Sequence, residues 1–246
     1  MIPIRDSAPC YSRPWVTWTL IAICSVIFLV MQLLPLETQQ LLMYQFGMVP
    51  YRYSNPEWAQ QIGLVDDHYL SVLTGLFLHD GWIHISVNIC FLWIFADNVE
   101  DRMGSMRFLV FYLLCGILSM GLQWYFMPTL TMPVLGASGA IAGVLAAYFF
   151  LYPYAQVRLF VPIFFLPIFI NVPAISFLGG WVIWQLYKAS TSVLFMDIAV
   201  DVAWWAHLGG FIAGCLLYRL FLLSDWPKTS SVAKTEVVIP DQLDIK

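Results

Sequence analysis

Charged residues are scarce in this sequence, because Asp, Glu, Lys and Arg together make up 11% of its 246 residues. A water-soluble domain of this length carries about a quarter charged residues. The formal net charge of −4 argues against nucleic acid as a partner, since binding to phosphates needs an excess of positive charge. Hydrophobic residues make up 61% of the chain, and we therefore predict an integral membrane protein surrounded by lipid.

Cysteine is sparse too, and the positions of the cysteines exclude two kinds of cross-link. The chain has five cysteines, of which Cys10 lies in the N-terminal arm and the others in apolar segments. The polar segment of residues 35–80 has none, so the sequence indicates no disulfide framework. The spacing does not match a zinc site either. We expect neither a metal nor another cofactor.

The apolar residues are grouped into segments that approach the length of a membrane helix, which is about 20 residues. The first run ends in LLPLE without a signal-peptidase motif, so we interpret it as a retained span. The segments lie at about 15–34, 81–98, 108–126, 137–152, 173–187 and 203–223. Prolines interrupt the apolar residues 157–172, where we expect an interfacial segment.

These segments predict an all-α fold, a polytopic bundle of six transmembrane helices. Residues 15–224 form this membrane domain, residues 1–14 a cytoplasmic N-terminal arm, and residues 225–246 a polar tail that we expect to be disordered. Two of the eleven basic residues, Arg52 and Lys188, fall on the side opposite the termini. The positive-inside rule therefore places both termini in the cytoplasm.

Polar side chains inside three of the spans lie at a similar predicted depth. His84 and Asn88 are four residues apart and share one helix face. Ser138 begins the fourth segment, and His207 lies within the sixth. With a rise of about 1.5 Å per residue, Asn88, Ser138 and His207 each lie roughly 20 Å from the inner end of their helix, in the outer half of the membrane. Polar groups at such a depth need an explanation.

Small residues predict that the fourth and sixth helices touch. Glycines recur at a spacing of four residues in two pairs, Gly139 with Gly143 and Gly210 with Gly214. Such pairs let helix backbones approach closely in a bilayer. The segments that carry Ser138 and His207 are therefore the pair best suited to direct contact.

A serine and a histidine in contact predict nucleophilic catalysis. The hydroxyl of Ser138 is a weak nucleophile until a base such as His207 takes its proton. Free backbone N–H groups at the start of the fourth helix, including that of Gly139, would stabilise an oxyanion together with Asn88 and His84. Asp80 and Asp201 lie too near the outer boundary to complete a triad, so we expect a Ser–His dyad.

Four motifs in this order resemble a rhomboid intramembrane serine protease. They are HDGWIHISVN at 79–88, FADNVEDRMG at 95–104, LGASGAIAG at 135–143 and AHLGGFIAG at 206–214. The resemblance implies a six-helix core that cleaves other transmembrane proteins near their outer ends. It implies Ser138 as nucleophile, His207 as general base, and His84 and Asn88 on the oxyanion side.

The resemblance carries further expectations and two departures. It implies a structural pair, Glu100 and Arg102, near the inner end of the second helix, a membrane-embedded loop at 35–80, and a substrate gate in the fifth helix. The Trp-Arg pair often found in that loop is missing, and Tyr69 stands near its place. Ala142 stands where some members carry a tyrosine that packs on the catalytic histidine.

Other functions stay open at this stage. Taken singly, Ser138 would be a packing residue and His207 a buried histidine bonded to a carbonyl. A catalytically inactive relative that binds client transmembrane segments is the main alternative, and a small transporter is a second. The partners that we expect are transmembrane protein substrates and lipid, and the location that we expect is a bacterial inner membrane.

Overall fold

The computed structural model describes residues 1–65, 69–163, 166–194 and 203–224. His68, Asp201 and the tail of residues 225–246 lie outside these ranges. The long helices are α1 (Trp15–Gln32), α6 (Trp82–Phe91) continued by a π-helical turn (Leu92–Ala96) and α7 (Asp97–Met103), α8 (Ser105–Phe126), α9 (Ser138–Leu151), α10 (Ala174–Leu194) and α11 (Trp204–Phe221). The chain is mostly helical.

Three helices within the described ranges are long and apolar enough to cross a membrane. They are Trp15–Gln32, Trp82–Met103 and Ser105–Phe126. Helix α9 is apolar but has 14 residues, which span about 21 Å and fall short of a bilayer core of about 30 Å. The membrane protein predicted from composition is thus supported, and the count of six spans stays a prediction.

Helix α9 lies at the centre of the bundle. Its residues from Gly139 to Tyr148 are all buried, which is typical of a helix surrounded by other elements on every side. It packs between α8 and α11, on which Cys115 and Gly210 contact Gly143. The central position explains why α9 can be short and rich in small residues, since it meets protein rather than lipid.

The prediction of an all-α fold is wrong for one region, which forms a three-stranded antiparallel sheet. Strand β1 (Ile2–Arg5) pairs with β2 (Gln156–Ile163), which pairs with β3 (Leu166–Pro173). Pro162 and Pro167 face each other near the end of the β2–β3 hairpin. Prolines cannot continue a helix, and the β-branched and aromatic residues around them favour extended backbone. Part of the N-terminal arm therefore forms a strand of this sheet.

The described residues of the segment 35–80 form short helices. They are α2 (Leu36–Phe46), α3 (Pro50–Ser54), α4 (Pro56–Gln61), α5 (Leu70–Thr74) and a 3₁₀ turn (Gly75–Phe77). Tyr69 adopts a left-handed conformation with φ of 67° and stacks on Tyr53 with 4.9 Å between ring centroids. Both rings contact Trp124 of α8. An aromatic cluster thus attaches this segment to α8, where the missing Trp-Arg pair was expected.

The C-terminal end of α6–α7 is joined to α1 through Glu100. This buried carboxylate accepts hydrogen bonds from the backbone N–H groups of Val16 and Thr17 at 3.0 and 2.8 Å, and from the hydroxyl of Ser105. A carboxylate at the first turn of a helix satisfies otherwise unpaired N–H groups. The backbone carbonyl of Arg102, two residues on, accepts from Leu223 N–H at 2.9 Å, so the same turn also contacts the chain that follows α11.

Candidate active site

Ser138 and His207 meet where the N-terminal ends of α9 and α11 pack against each other. Ser138 is the first residue of α9, and His207 lies in the first turn of α11. The distance between His207 Nε2 and Ser138 Oγ is 2.9 Å, which is within hydrogen-bond range. Both residues are half-buried and border the same cavity.

Direct contact between two helix backbones holds this pair together. A Cβ atom on Gly210 would overlap the carbonyl oxygen of Gly139, and one on Gly214 would overlap that of Gly143. No flexible side chain lies between these backbones to absorb a larger residue. The distance between Ser138 and His207 therefore depends on glycine at the crossing.

The first turn of α11 is also held by α8. Gln123 is fully buried, and its Oε1 accepts from the backbone N–H of Ala206 at 3.0 Å. Helix starts leave such N–H groups without partners inside the helix, so the amide of Gln123 fixes the residue next to His207. Gln123 was not predicted from the sequence, although a glutamine within an apolar span is a visible signal.

The second ring nitrogen of His207 has an amide partner. Its Nδ1 lies 2.9 Å from Oε1 of Gln185 on α10. Asp80 does not take this place, because its Oδ1 lies 2.6 Å from His84 Nδ1. Asp201 lies outside the described residues. Gln185 was also not predicted as a site residue, although it is another polar side chain in an apolar segment.

His84 and Asn88 face the same cavity from α6. The side-chain amide of Asn88 donates one hydrogen bond to the His84 carbonyl at 3.1 Å, which leaves its second N–H for another acceptor. The bond from His84 is the main reason that the pKa of Asp80 lies below its ordinary value. The ionised carboxylate of Asp80 thereby fixes the imidazole of His84.

Gly136 makes room for His84 beside the serine. Its φ of +107° is a conformation that residues with a side chain rarely adopt. A Cβ atom there would lie 2.5 Å from His84 Nε2. This nitrogen is thus close to the backbone just before Ser138, at the start of α9.

A sequence profile described as Rhomboid domain matches residues 66–224, which is more than half of the chain. The chain belongs to the rhomboid family. Presenilin-associated rhomboid-like protein A, mitochondrial, of Danio rerio is 31% identical over 175 residues, which cover 68% of this chain and 39% of that protein. Rhomboid protein 1, mitochondrial, of Saccharomyces cerevisiae is 30% identical over 158 residues, covering 60% of this chain and 40% of that protein.

A chloroplast relative extends the comparison. Rhomboid-like protein 11, chloroplastic, of Arabidopsis thaliana is 29% identical over 188 residues, which cover 73% of this chain and 58% of that protein. The rhomboid chain described here therefore spans about two-fifths to three-fifths of the length of these curated relatives.

The rings that pack on His207 in this rhomboid chain come from α10 and α11. Trp181 of α10 lies with its ring centroid 6.0 Å from that of His207, and Trp204 of α11 at 6.1 Å. Ala142 supplies no ring from α9. The aromatic contacts of His207 among the described residues thus come from tryptophans.

The cavity beside Ser138 has a volume of about 710 Å³. Cavities that accept small molecules or peptide side chains commonly measure 300–1,000 Å³, by order of magnitude. The apolar lining comes mainly from α6 and from the connection between α8 and α9, and includes Trp82, Ile83, Val87, Leu130, Met132, Pro133, Val134 and Leu135. Polar and apolar side chains thus share the wall of this cavity.

Proposed function

We propose that this rhomboid chain is an intramembrane serine endopeptidase that cleaves transmembrane protein substrates near the outer membrane face. The observation that carries the proposal is the 2.9 Å contact between Ser138 Oγ and His207 Nε2. Two residues that are 69 positions apart in sequence meet in a cavity large enough for a peptide. A serine with a packing role alone would need no histidine nitrogen at that distance.

The dyad supports acyl transfer in two steps. His207 Nε2 takes the proton of Ser138 as Oγ attacks the substrate carbonyl, and then gives that proton to the leaving amine. The resulting acyl-enzyme is hydrolysed by a water molecule that His207 activates in the same way. The mechanism needs no metal and no cofactor.

The oxyanion of the tetrahedral intermediate needs N–H donors near Ser138. The first backbone hydrogen bond of α9 runs from Ile141 N–H to the Ala137 carbonyl, and the preceding N–H groups, including that of Gly139, have no partner within the helix. The amide of Asn88 and the imidazole of His84 face the same space. An ionised Asp80 accepts from the Nδ1–H of His84, so His84 can donate from Nε2 only when its ring carries both hydrogens. The helix-start N–H groups and the amide of Asn88 are therefore the main donors for the developing negative charge.

Replacing Asn88 with alanine should lower kcat by about 10²- to 10³-fold, the usual effect of losing one oxyanion donor. The KM should change little, because the donor acts mainly in the transition state. The measurement is steady-state cleavage of a purified transmembrane substrate in liposomes. Ser86→Ala, on an exposed part of the same helix, is the matched control. An unchanged kcat in Asn88→Ala would remove this residue from the oxyanion site.

Released fragments test the function in cells. Candidate single-span proteins are expressed together with the wild type or with Ser138→Ala, and fragments that appear with the wild type alone support the protease. The inactive relative that binds client segments predicts that both forms capture the same proteins and that neither releases fragments. Both dyad residues are present in this chain, which favours the enzyme.

We propose an integral membrane location with six spans and both termini in the cytoplasm. The named relatives are mitochondrial and chloroplastic, so they do not support the bacterial inner membrane expected from the sequence. A C-terminal epitope tag should be protected from added protease in sealed right-side-out vesicles and digested in inverted ones. Digestion in right-side-out vesicles would contradict this orientation.

A further inference from the structure

Helix α10 presents two side chains to His207. Trp181 and Gln185 are four residues apart and so share one helix face. Trp181 packs its ring near the imidazole, with 6.0 Å between centroids, and Gln185 Oε1 lies 2.9 Å from Nδ1. Gln185 has 3% of its surface exposed. The neighbours Trp184 and Leu186 are more than half exposed, so Gln185 belongs to the one face of α10 that packs inward at this level.

The reaction proposed above requires one particular tautomer of His207. Nε2 must hold a free electron pair to take the proton of Ser138, so Nδ1 must carry the hydrogen of the neutral ring. A buried N–H needs an acceptor. The carbonyl oxygen of the Gln185 amide is that acceptor, and it aims Nε2 at Ser138 Oγ by fixing the plane of the ring.

We propose that Gln185 is a positioning residue for His207, so that α10 completes the catalytic site from outside the Ser–His pair. This inference rests on the proposed protease function. Its consequence is that α10 must be docked on α11 while Ser138 is acylated. If α10 also moves to admit a substrate, it must return before the chemical step.

An amide suits this position better than a carboxylate for a physical reason. An ionised carboxylate inside an apolar bundle carries a large desolvation cost, whereas a neutral amide holds the imidazole N–H at a lower cost. The amide stabilises the imidazolium less than a carboxylate would. The effect of losing it should therefore be smaller than the roughly 10⁴-fold loss seen when the aspartate of a serine protease triad is neutralised.

A purely structural glutamine would give a different result from a positioning one. If Gln185 only joins α10 to α11, its loss lowers thermal stability and leaves the reactivity of each folded molecule unchanged. If it only controls substrate access, its loss changes the cleavage of transmembrane substrates and not the reaction of a small probe. A positioning residue changes the chemical step for both kinds of reactant.

The test compares five purified proteins in detergent and in liposomes. They are the wild type, Gln185→Leu, Gln185→Glu, Ser190→Ala and the catalytic control Ser138→Ala. Leucine keeps the volume without an acceptor, and glutamate keeps the acceptor oxygen. Ser190→Ala removes a different hydroxyl of α10, which bonds the Tyr187 carbonyl. Each protein is reacted with a small fluorophosphonate, and the kcat and KM for a transmembrane substrate are measured separately.

For Gln185→Leu we expect the fluorophosphonate reaction and kcat to fall together by about 10- to 100-fold, because a misplacement of the reacting groups by about 1 Å can cost up to that much, while KM stays within a factor of two. Gln185→Glu should restore both rates to within a few-fold of the wild type, and Ser190→Ala should match the wild type. If Gln185→Leu does not fold, Gln185→Met is measured in its place with the same expectation.

Three results would overturn part of this account, and they are distinguishable. Wild-type rates in folded Gln185→Leu would refute the positioning role of Gln185 and would leave the proposed protease function intact. If Gln185→Leu cleaves the transmembrane substrate more slowly but reacts normally with the fluorophosphonate, α10 controls substrate access and the positioning role is refuted. A wild-type protein that reacts no faster than Ser138→Ala would end the proposed protease function itself.

Discussion

Replacing Ser138 with alanine should abolish cleavage, and replacing His207 with alanine should do the same. We expect each variant to lose roughly 10⁵- to 10⁶-fold in kcat, because residues that act as one unit each cost nearly the full effect. The double variant should be no slower than either single one. The measurement is fragment release from a purified transmembrane substrate, with fluorophosphonate labelling as a second readout.

Ser119→Ala is the matched control for the loss of a buried hydroxyl. Ser119 is fully buried on α8, and its hydroxyl donates to the Gly116 carbonyl at 2.6 Å rather than to a histidine. This variant should keep its activity within a few-fold of the wild type. All three variants should keep a wild-type melting temperature within a few degrees. Wild-type cleavage by either Ser138→Ala or His207→Ala would refute the dyad.

Replacing Gly210 with alanine should lower both stability and activity, although it adds a single methyl group. That carbon would overlap the carbonyl oxygen of Gly139, so α11 must move away from α9. Overpacking of this kind commonly lowers the free energy of unfolding by about 1–3 kcal/mol. Two helix backbones in direct contact cannot relieve the overlap by a change of side-chain rotamer. Because the same shift separates His207 from Ser138, we expect kcat to fall by more than about 100-fold in the molecules that stay folded.

Gly121→Ala is the matched control for Gly210→Ala. Gly121 also lies within a long helix, α8, but a Cβ atom there would meet nothing within 4 Å. Alanine should therefore be neutral or should stabilise the helix by up to about 1 kcal/mol. The melting temperature and kcat of both variants are measured in the same detergent. A Gly210→Ala protein as stable and active as Gly121→Ala would show that close backbone approach is not what aligns the site.

Five helices hold the described residues of the site. Helix α9 carries Ser138 and the free N–H groups of its first turn, α11 carries the histidine, and Gln123 of α8 holds the first turn of α11. Helix α6 places Asn88 and His84 across the cavity, and α10 provides Gln185. Since α9 is buried along most of its length, the serine is fixed by packing, whereas one face of α10 is exposed.

Much of the secondary structure could be predicted because membrane helices depend on local composition. The predicted segments 15–34 and 108–126 correspond closely to α1 and α8. The predicted fold was wrong in the region where an apolar segment could form either a helix or a strand. Residues 157–172 are as hydrophobic as a span, but the strand pairing of β2 and β3, and of β2 with β1, depends on partners that lie far away in sequence.

In the site, too, local features could be predicted from the sequence and contacts between distant residues could not. The motifs around Ser138 and His207, the i to i+4 spacing of His84 and Asn88, and the glycine pairs are all local, so they could be recognised in the sequence. Gln123 and Gln185 carry no motif, and their partners lie 83 and 22 residues away. The pairing of Asp80 with His84 was equally hidden, because four-residue spacing permits a contact without requiring it.

The sequence by itself determined that this chain enters a membrane, that it has the rhomboid motifs, and that a serine and a histidine lie at one depth. Composition and helical rise are properties of single segments, so no partner is needed to infer them. Only the tertiary structure decided which nitrogen of His207 faces Ser138 and what holds the other. Those contacts depend on how α9, α10 and α11 are placed beside one another, and helix placement results from packing among segments that are distant in the chain.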